Sequence, residues 1–142
     1  MAADHAYPVT IAFDVQWGDM DAFGHVNNAR YFTWFESCRS AYFLRLGLRM
    51  NQPSSLGPIL ASVTCDYVAP VVYPASLVAG VRIPKIGNTS FAMDYGLWKK
   101  DTPDHLVARG TSVVVLFDYV SAKKVRVPDA IRDQISKIEA SV

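Results

Sequence analysis

The stretch Trp17-Gly18-Asp19-Met20-Asp21-Ala22-Phe23-Gly24-His25-Val26-Asn27-Asn28-Ala29-Arg30-Tyr31 decides how the rest of this chain is read. It crowds two carboxylates, a histidine and two asparagines into a short loop, Asp19 to Asn27, that opens directly onto an aromatic run. In that run Tyr31, Phe32, Trp34, Phe35, Cys38, Tyr42, Phe43 and Leu46 recur at steps of three and four. This spacing predicts a helix from about Asn28 to Leu48 with an unusually wide apolar face, off which Glu36, Arg39 and Arg45 fall. Gly47 stands near its end, and 51–58 carries turn chemistry. Carboxylates just ahead of a helix lie near free backbone N–H groups and the positive end of the helix dipole. A carboxylate base or nucleophile beside backbone donors is the equipment of acyl transfer.

Working outward, Val9 to Trp17 alternates as a first strand, with Ile11, Phe13 and Val15 on one face. Beyond the helix the pattern turns to strands: Ile59–Val68, Leu77–Ile86, Ser90–Lys99 and the Val-rich Leu106–Tyr119. Pro84 near the end of the third suggests an edge or a bulge, and Pro128 suits the start of a short C-terminal helix. The order is one strand, one long helix, then four antiparallel strands. A helix apolar nearly all round must be buried, so the sheet is expected to curve around it. Residues 1–142 read as one α+β domain, with no linker or internal repeat.

Composition narrows the class. Hydrophobic residues make up 51%, so part of the apolar surface is expected to be covered by another subunit. A net charge of +1 argues against a nucleic-acid partner held by bulk electrostatics. The ten Lys/Arg and seven Asp/Glu from Arg82 onward could serve a phosphorylated ligand, or be scattered solvated charge. Cys38 and Cys65 offer neither a disulfide framework nor a zinc set, and read as small core residues. No signal peptide or membrane-spanning run is recognisable, which points to a cytoplasmic protein that binds neither membrane nor metal.

Each polar residue of the loop carries two readings. Asp21 either activates water or attacks a carbonyl, or it caps loop N–H groups. Asp19, at a strand end followed by a turn, reads as a loop tie. His25 orients Asp21, donates to a carbonyl oxygen, or fixes the loop. Asn27 and Asn28 suit a helix cap, and two in succession also suggest a polar pocket floor. Gly24 fits a close backbone approach or a positive φ. Glu36 and Arg39 have the spacing of a surface ion pair.

The element order and the Trp-Gly-Asp-Met-Asp, Gly-His-Val-Asn-Asn and Phe35-Glu36…Arg39 segments resemble the hotdog fold of the 4-hydroxybenzoyl-CoA thioesterase-like family. Asp66-Tyr67 with Pro70 and Tyr73, 86–91, and Ala108-Gly110-Thr111 with Asp118 match in the expected order. The resemblance implies a long central helix wrapped by a curved, antiparallel five-stranded sheet. It also implies hydrolysis of an acyl-CoA to a carboxylic acid and CoA. Asp21 would be the base or nucleophile, the Asn28 amide the oxyanion donor, and His25 a further site residue. Gly24, Asn27 and Tyr31 would meet the substrate. Arg82 and Lys85, with Lys99, Lys100 and Arg126, would be candidates for the CoA phosphates, and Gly87, Thr89 and Ser90 for the pantetheine arm. Coenzyme A would enter only as part of the substrate, with no separate cofactor.

In the family's aromatic-acyl branch, apolar or aromatic residues stand where this chain has His25, Asn27 and Asn28. The version here is similar to fatty-acyl-CoA and plant acyl-carrier-protein thioesterases, which favours aliphatic acyl groups. Another branch uses a helical glutamate, which makes Glu36 a rival to Asp21. An acyl-carrier-protein thioesterase and a non-catalytic acyl-binding hotdog protein are the alternatives. The family implies a homodimer, pairing further into a tetramer.

Overall fold

Phe35 sets the packing of the molecule. In the computed structural model, which describes residues 6–48 and 55–142, it projects from helix α1 (Asn28–Arg45) onto Tyr95 of strand β4 (Ser90–Lys99). The two rings stack at 4.7 Å between centroids. Around that contact lie β1 (Val9–Asp14), β2 (Leu56–Tyr67), β3 (Ser76–Ile86), β5 (Leu106–Asp118), the two-residue β6 (Lys123–Lys124) and helix α2 (Asp129–Glu139). All strand pairs are antiparallel, in the order β1-β3-β4-β5-β2, with β6 beside β5. This is the expected hotdog arrangement, a long helix in the lap of a curved sheet.

Alternation builds the core. Leu77, Ala79, Val81 and Ile83 of β3 and Phe91, Met93, Tyr95 and Leu97 of β4 are buried. They meet Tyr31, Trp34, Phe35, Cys38 and Tyr42 of α1. Burial pushes the Cys38 thiol up to about 12, so it is an inert core residue. Cys65 is half-buried. Three isoleucines of α2, Ile131, Ile135 and Ile138, complete the core, and Tyr42 Oη donates to Glu139 Oε2 at 2.5 Å, tying the helices together.

Four expectations are corrected. β1 ends at Asp14, and Trp17–Asp19 is a turn of 3-10 helix. α1 ends at Arg45, with Leu46 as its cap. Leu56, Gly57 and Pro58 begin β2, whereas 51–54 lie outside the described residues. α1 is not buried all round: Thr33, Glu36, Ser37, Ser40 and Leu44 are exposed. At Pro84 the β3–β4 register slips between Arg82 and Lys85, the bulge that a proline without an N–H demands.

Gly110 makes the close approach of α1 possible. A Cβ there would lie 2.5 Å from Phe35 Cε2 and 2.6 Å from the Thr64 carbonyl oxygen. Phe35 could turn aside, but the paired β2 backbone cannot. Gly110→Ala is therefore expected to lower stability by about 1–3 kcal/mol in chemical denaturation, the range for overpacking. Alanine would ordinarily be the better strand residue, so an unchanged midpoint would refute the tight seat.

Candidate active site

The Asp21 loop is a small hairpin placed against the start of α1. Met20 bridges Val26, Asn27 N–H donates to the Asp19 carbonyl (2.8 Å), and Val26 N–H donates to the Val71 carbonyl (2.8 Å). Asp19 is consumed in this scaffold: Oδ2 accepts from Gln16 N–H (2.8 Å), and Oδ1 lies 3.4 Å from Arg30 Nε. Asp21 occupies the tip. Its Oδ1 accepts from Phe23 N–H (2.8 Å) and His25 N–H (3.2 Å), while its own N–H donates to the His25 carbonyl at 2.7 Å. Gly24, at φ +84°, supplies the left-handed residue that closes the turn. Oδ2 of Asp21 has no partner among the described residues.

Capping and chemistry are therefore compatible in Asp21: one oxygen holds the loop and the other is free. The His25 backbone, not its imidazole, holds Asp21, and that ring is exposed. Asp21 lines a cleft of about 490 Å³ with Trp17, Gly18, Met20, Ala22, Gly24 and Tyr73. Trp17 and Phe23 stand out from this loop, 77% and 87% exposed, an apolar rim rather than core.

At the helix start, Asn27 Oδ1 accepts from Ala29 N–H (3.0 Å) and the Asn27 carbonyl from Arg30 N–H (3.0 Å). Asn28 N–H keeps no partner among the described residues, as a first helical amide whose neighbours are capped is left. Tyr67 was not singled out for a role by sequence, yet its Oη donates to the Asn28 carbonyl at 2.9 Å, and its ring meets Tyr31 edge-on at 4.8 Å. Loss of water around it, then the neighbouring Cys65, push the Tyr67 phenol up to about 12, so it remains a donor at neutral pH. Its only sequence signal was its place in the Asp66-Tyr67 corner. Tyr31 itself is buried beneath this contact.

The remaining candidates lie elsewhere. Glu36 is eight residues, about 12 Å of helix rise, from Asn28. Arg39 is buried and donates to Tyr95 Oη (3.2 Å), so the expected surface pair with Glu36 does not form. Arg82 pairs with Asp94 (3.4 Å) and lies over the Tyr7 ring. With Lys85, Gly87, Thr89 and Ser90 it belongs to the far half of β3 and the following turn. β3 starts beside the Asp21 loop, where Val15 N–H donates to Ala75, so that turn is about 30 Å away along the strand. The turn's carbonyls are occupied: Arg132 Nη2 donates to Gly87 (2.7 Å) and Asn88 (3.1 Å), and Leu116 N–H donates to Thr89 (2.9 Å). Lys99 and Lys100, by contrast, line a cleft of about 1000 Å³ that shares Tyr73 with the Asp21 cleft.

Among the described residues no cluster of three or more His, Cys, Asp or Glu could hold a metal ion. No helix is long and apolar enough to cross a membrane.

Fold and loop together define the class of hotdog-fold thioester hydrolases. Residues 15–135 match the thioesterase-like superfamily, and the chain belongs to it. The PA2801 protein of Pseudomonas aeruginosa, named as a candidate thioesterase, is 32% identical, with a TM-score of 0.83 over 91% of this chain and 98% of that one. A thioesterase of Thermus thermophilus, solved with coenzyme A and zinc, is 27% identical, with a TM-score of 0.81 over 95% and 96%. The uncharacterized protein YsmA of Bacillus subtilis is 32% identical over 81 residues, 57% of this chain; the match spans about half (54%) of that curated relative.

If the Asn27 cap and the Tyr67 clamp hold the helix start, Asn27→Ala and Tyr67→Phe should each cost about 1 kcal/mol in urea denaturation. Two unchanged midpoints would show that the first turn needs neither.

Proposed function

We propose that this protein hydrolyses aliphatic acyl-CoA thioesters to the carboxylic acid and CoA. The observation that carries the reading is the pairing of a half-free carboxylate, Asp21, with an unpaired helix-start amide, Asn28. In this mechanism the thioester carbonyl oxygen accepts from Asn28 N–H, and the negative charge that grows on it is stabilised by that donor and the helix dipole. Asp21 Oδ2 either takes a proton from water as the water attacks, or attacks the carbonyl carbon itself to give an anhydride that water then opens. CoA leaves as the thiol in both routes. A preorganised donor of this kind is typically worth ~10²–10³ in rate. His25, through its backbone, and Tyr67, through the Asn28 carbonyl, are positioning residues. The mechanism draws on no metal or redox group.

Two copies are expected to join through the open edge of β2 into one continuous sheet, and such dimers to pair as tetramers, since an unpaired strand edge is a pairing template. The pair of unbridged cysteines supports a cytoplasmic setting. Lys99 and Lys100 line the cleft that has Tyr73 in common with the Asp21 cleft, which supports them as the phosphate-binding residues.

Asp21→Asn retains an Oδ1 acceptor for the Phe23 and His25 amides while removing the base or nucleophile. It should lower kcat at least ~10²-fold in a thiol-release assay, with circular dichroism unchanged. Asp19→Asn and His25→Ala should each change kcat far less, the latter because alanine keeps the backbone N–H that holds Asp21. Near-normal turnover in folded Asp21→Asn would overturn the assignment.

The phosphate reading has its own measurement. Lys99→Ala/Lys100→Ala should raise KM for acyl-CoA severalfold at low salt and leave KM for a short pantetheine thioester unchanged. Added salt should shrink that difference, because exposed charges are screened. Equal KM values for both substrates before and after substitution would remove these lysines from the site.

A further inference from the structure

Trp17 and Gly18 form the side of the Asp21 cleft that the catalytic reading leaves unused. Both sit in the 3-10 turn that Asp19 closes onto Gln16 N–H, so their place is fixed. Gly18 lines the cleft, and a Cβ on it would meet nothing within 4 Å. Its φ lies outside the left-handed region, unlike that of Gly24, so the backbone there does not require glycine. What the missing side chain leaves is room. Trp17 stands beside it exposed, whereas the other two of the chain's three tryptophans, Trp34 and Trp98, are buried. An indole held in water at the lip of a cleft gains free energy when an apolar group covers it.

The lining says which group that is. Asp21 is the one charged residue of this cleft, and its other walls are Trp17, Met20, Ala22, Tyr73 and two glycines. The larger cleft across Tyr73 is polar, with Asp14, Gln16, Ser76, Lys99, Lys100 and Asp101. Tyr73 N–H donates to Met20 Sδ at 3.3 Å, which ties the partition between the clefts to the Asp21 hairpin. An acyl-CoA is itself divided, into a phosphorylated half and an apolar half. The phosphates find cations only in the larger cleft, and the Asp21 carboxylate repels them from the smaller one. The acyl chain carries no group that would lose a hydrogen bond against Trp17 and Met20. An anionic lipid surface fits less well, because Arg30, Lys99 and Lys100 are offset by Asp14, Asp19, Asp21 and Asp101.

We propose that the acyl chain of the substrate lies in the Asp21 cleft against Trp17, in the room left at Gly18, with Tyr73 dividing it from the coenzyme half. Trp17 and Gly18 are then the residues that set acyl selectivity. The cleft measures about 490 Å³. At roughly 30 Å³ per heavy atom, the share of a water molecule in the liquid, it holds on the order of ten to fifteen atoms. The preferred substrates are therefore medium-chain acyl groups of about eight to twelve carbons, not acetyl or propionyl groups, which would leave the indole bare. The assignment rests on the acyl-CoA reading above and adds a chain length to it.

Trp17 reports its own occupancy, because it is the exposed tryptophan of the three. S-decyl-coenzyme A, a thioether that cannot be hydrolysed, should shift the tryptophan emission of the full chain to the blue and shield it from acrylamide. S-ethyl-coenzyme A should do neither, and Trp17→Phe should abolish the response. Turnover gives a second readout. Gly18→Leu fills the cleft without straining the backbone, and Trp17→Ser removes its wall at a position outside the core. Each should lower the ratio of kcat/KM for decanoyl-CoA to that for butyryl-CoA at least ~10-fold, since each methylene deprived of its contact costs about fourfold. If Gly18→Leu fails to fold, Trp17→Ser carries this comparison alone.

Equal responses to the decyl and ethyl ligands, or an unchanged ratio in the folded variants, would overturn the seat. So would shielding that appears without ligand, either as protein concentration rises or on adding anionic vesicles, which would hand Trp17 to a second copy or to a membrane. Thiol release from the unsubstituted protein keeps the two readings apart. Hydrolysis without shielding would remove the chain from this cleft and leave the catalytic reading standing. Shielding by S-decyl-coenzyme A with no acyl-CoA hydrolysed would keep the seat and remove the catalysis.

Discussion

The seat of Phe35 on the sheet is the contact on which the other features depend. Only a glycine at 110 leaves room for the ring to lie flat on Tyr95. That contact sets the height of α1 above the strands, and the height of α1 sets where its first turn emerges. Tyr67, at the end of β2, whose Thr64 carbonyl borders the same glycine, then reaches the Asn28 carbonyl. Core packing and the direction of one backbone amide are therefore one problem, solved by the same strand.

The loop ahead of the helix is built on the same economy. Asp19 gives both carboxylate oxygens and its carbonyl to the scaffold, and Asp21 gives only Oδ1. Two acids two residues apart thus differ in how many of their oxygens the loop uses, and Asp21 is the one that keeps an oxygen without a partner among the described residues. His25 contributes through its main chain, so its side chain is less constrained than its place in the motif suggests. An aspartate in such a turn is oriented without a histidine partner, which suits a thioester, an acyl group activated enough to need no triad.

The sequence by itself determined what depends on near neighbours. The aromatic spacing of 31–46 dictates a helix, alternation dictates five strands, and an acid ahead of paired asparagines dictates a polar cap at a helix start. These are interactions over two to four residues, where the chain has few alternatives. Tertiary structure decided what depends on distant ones. Arg39 and Glu36 have the spacing of a surface pair, but Tyr95, more than fifty residues away, offers a hydroxyl and a ring face that draw the guanidinium inward. Tyr67 gains its role because β2 ends above Asn28. Arg82 to Ser90 stand a strand's length from Asp21, because an antiparallel neighbour sends its far end away from the site. A side chain's partner across the sheet is set by register and curvature, which arise only once all five strands have paired.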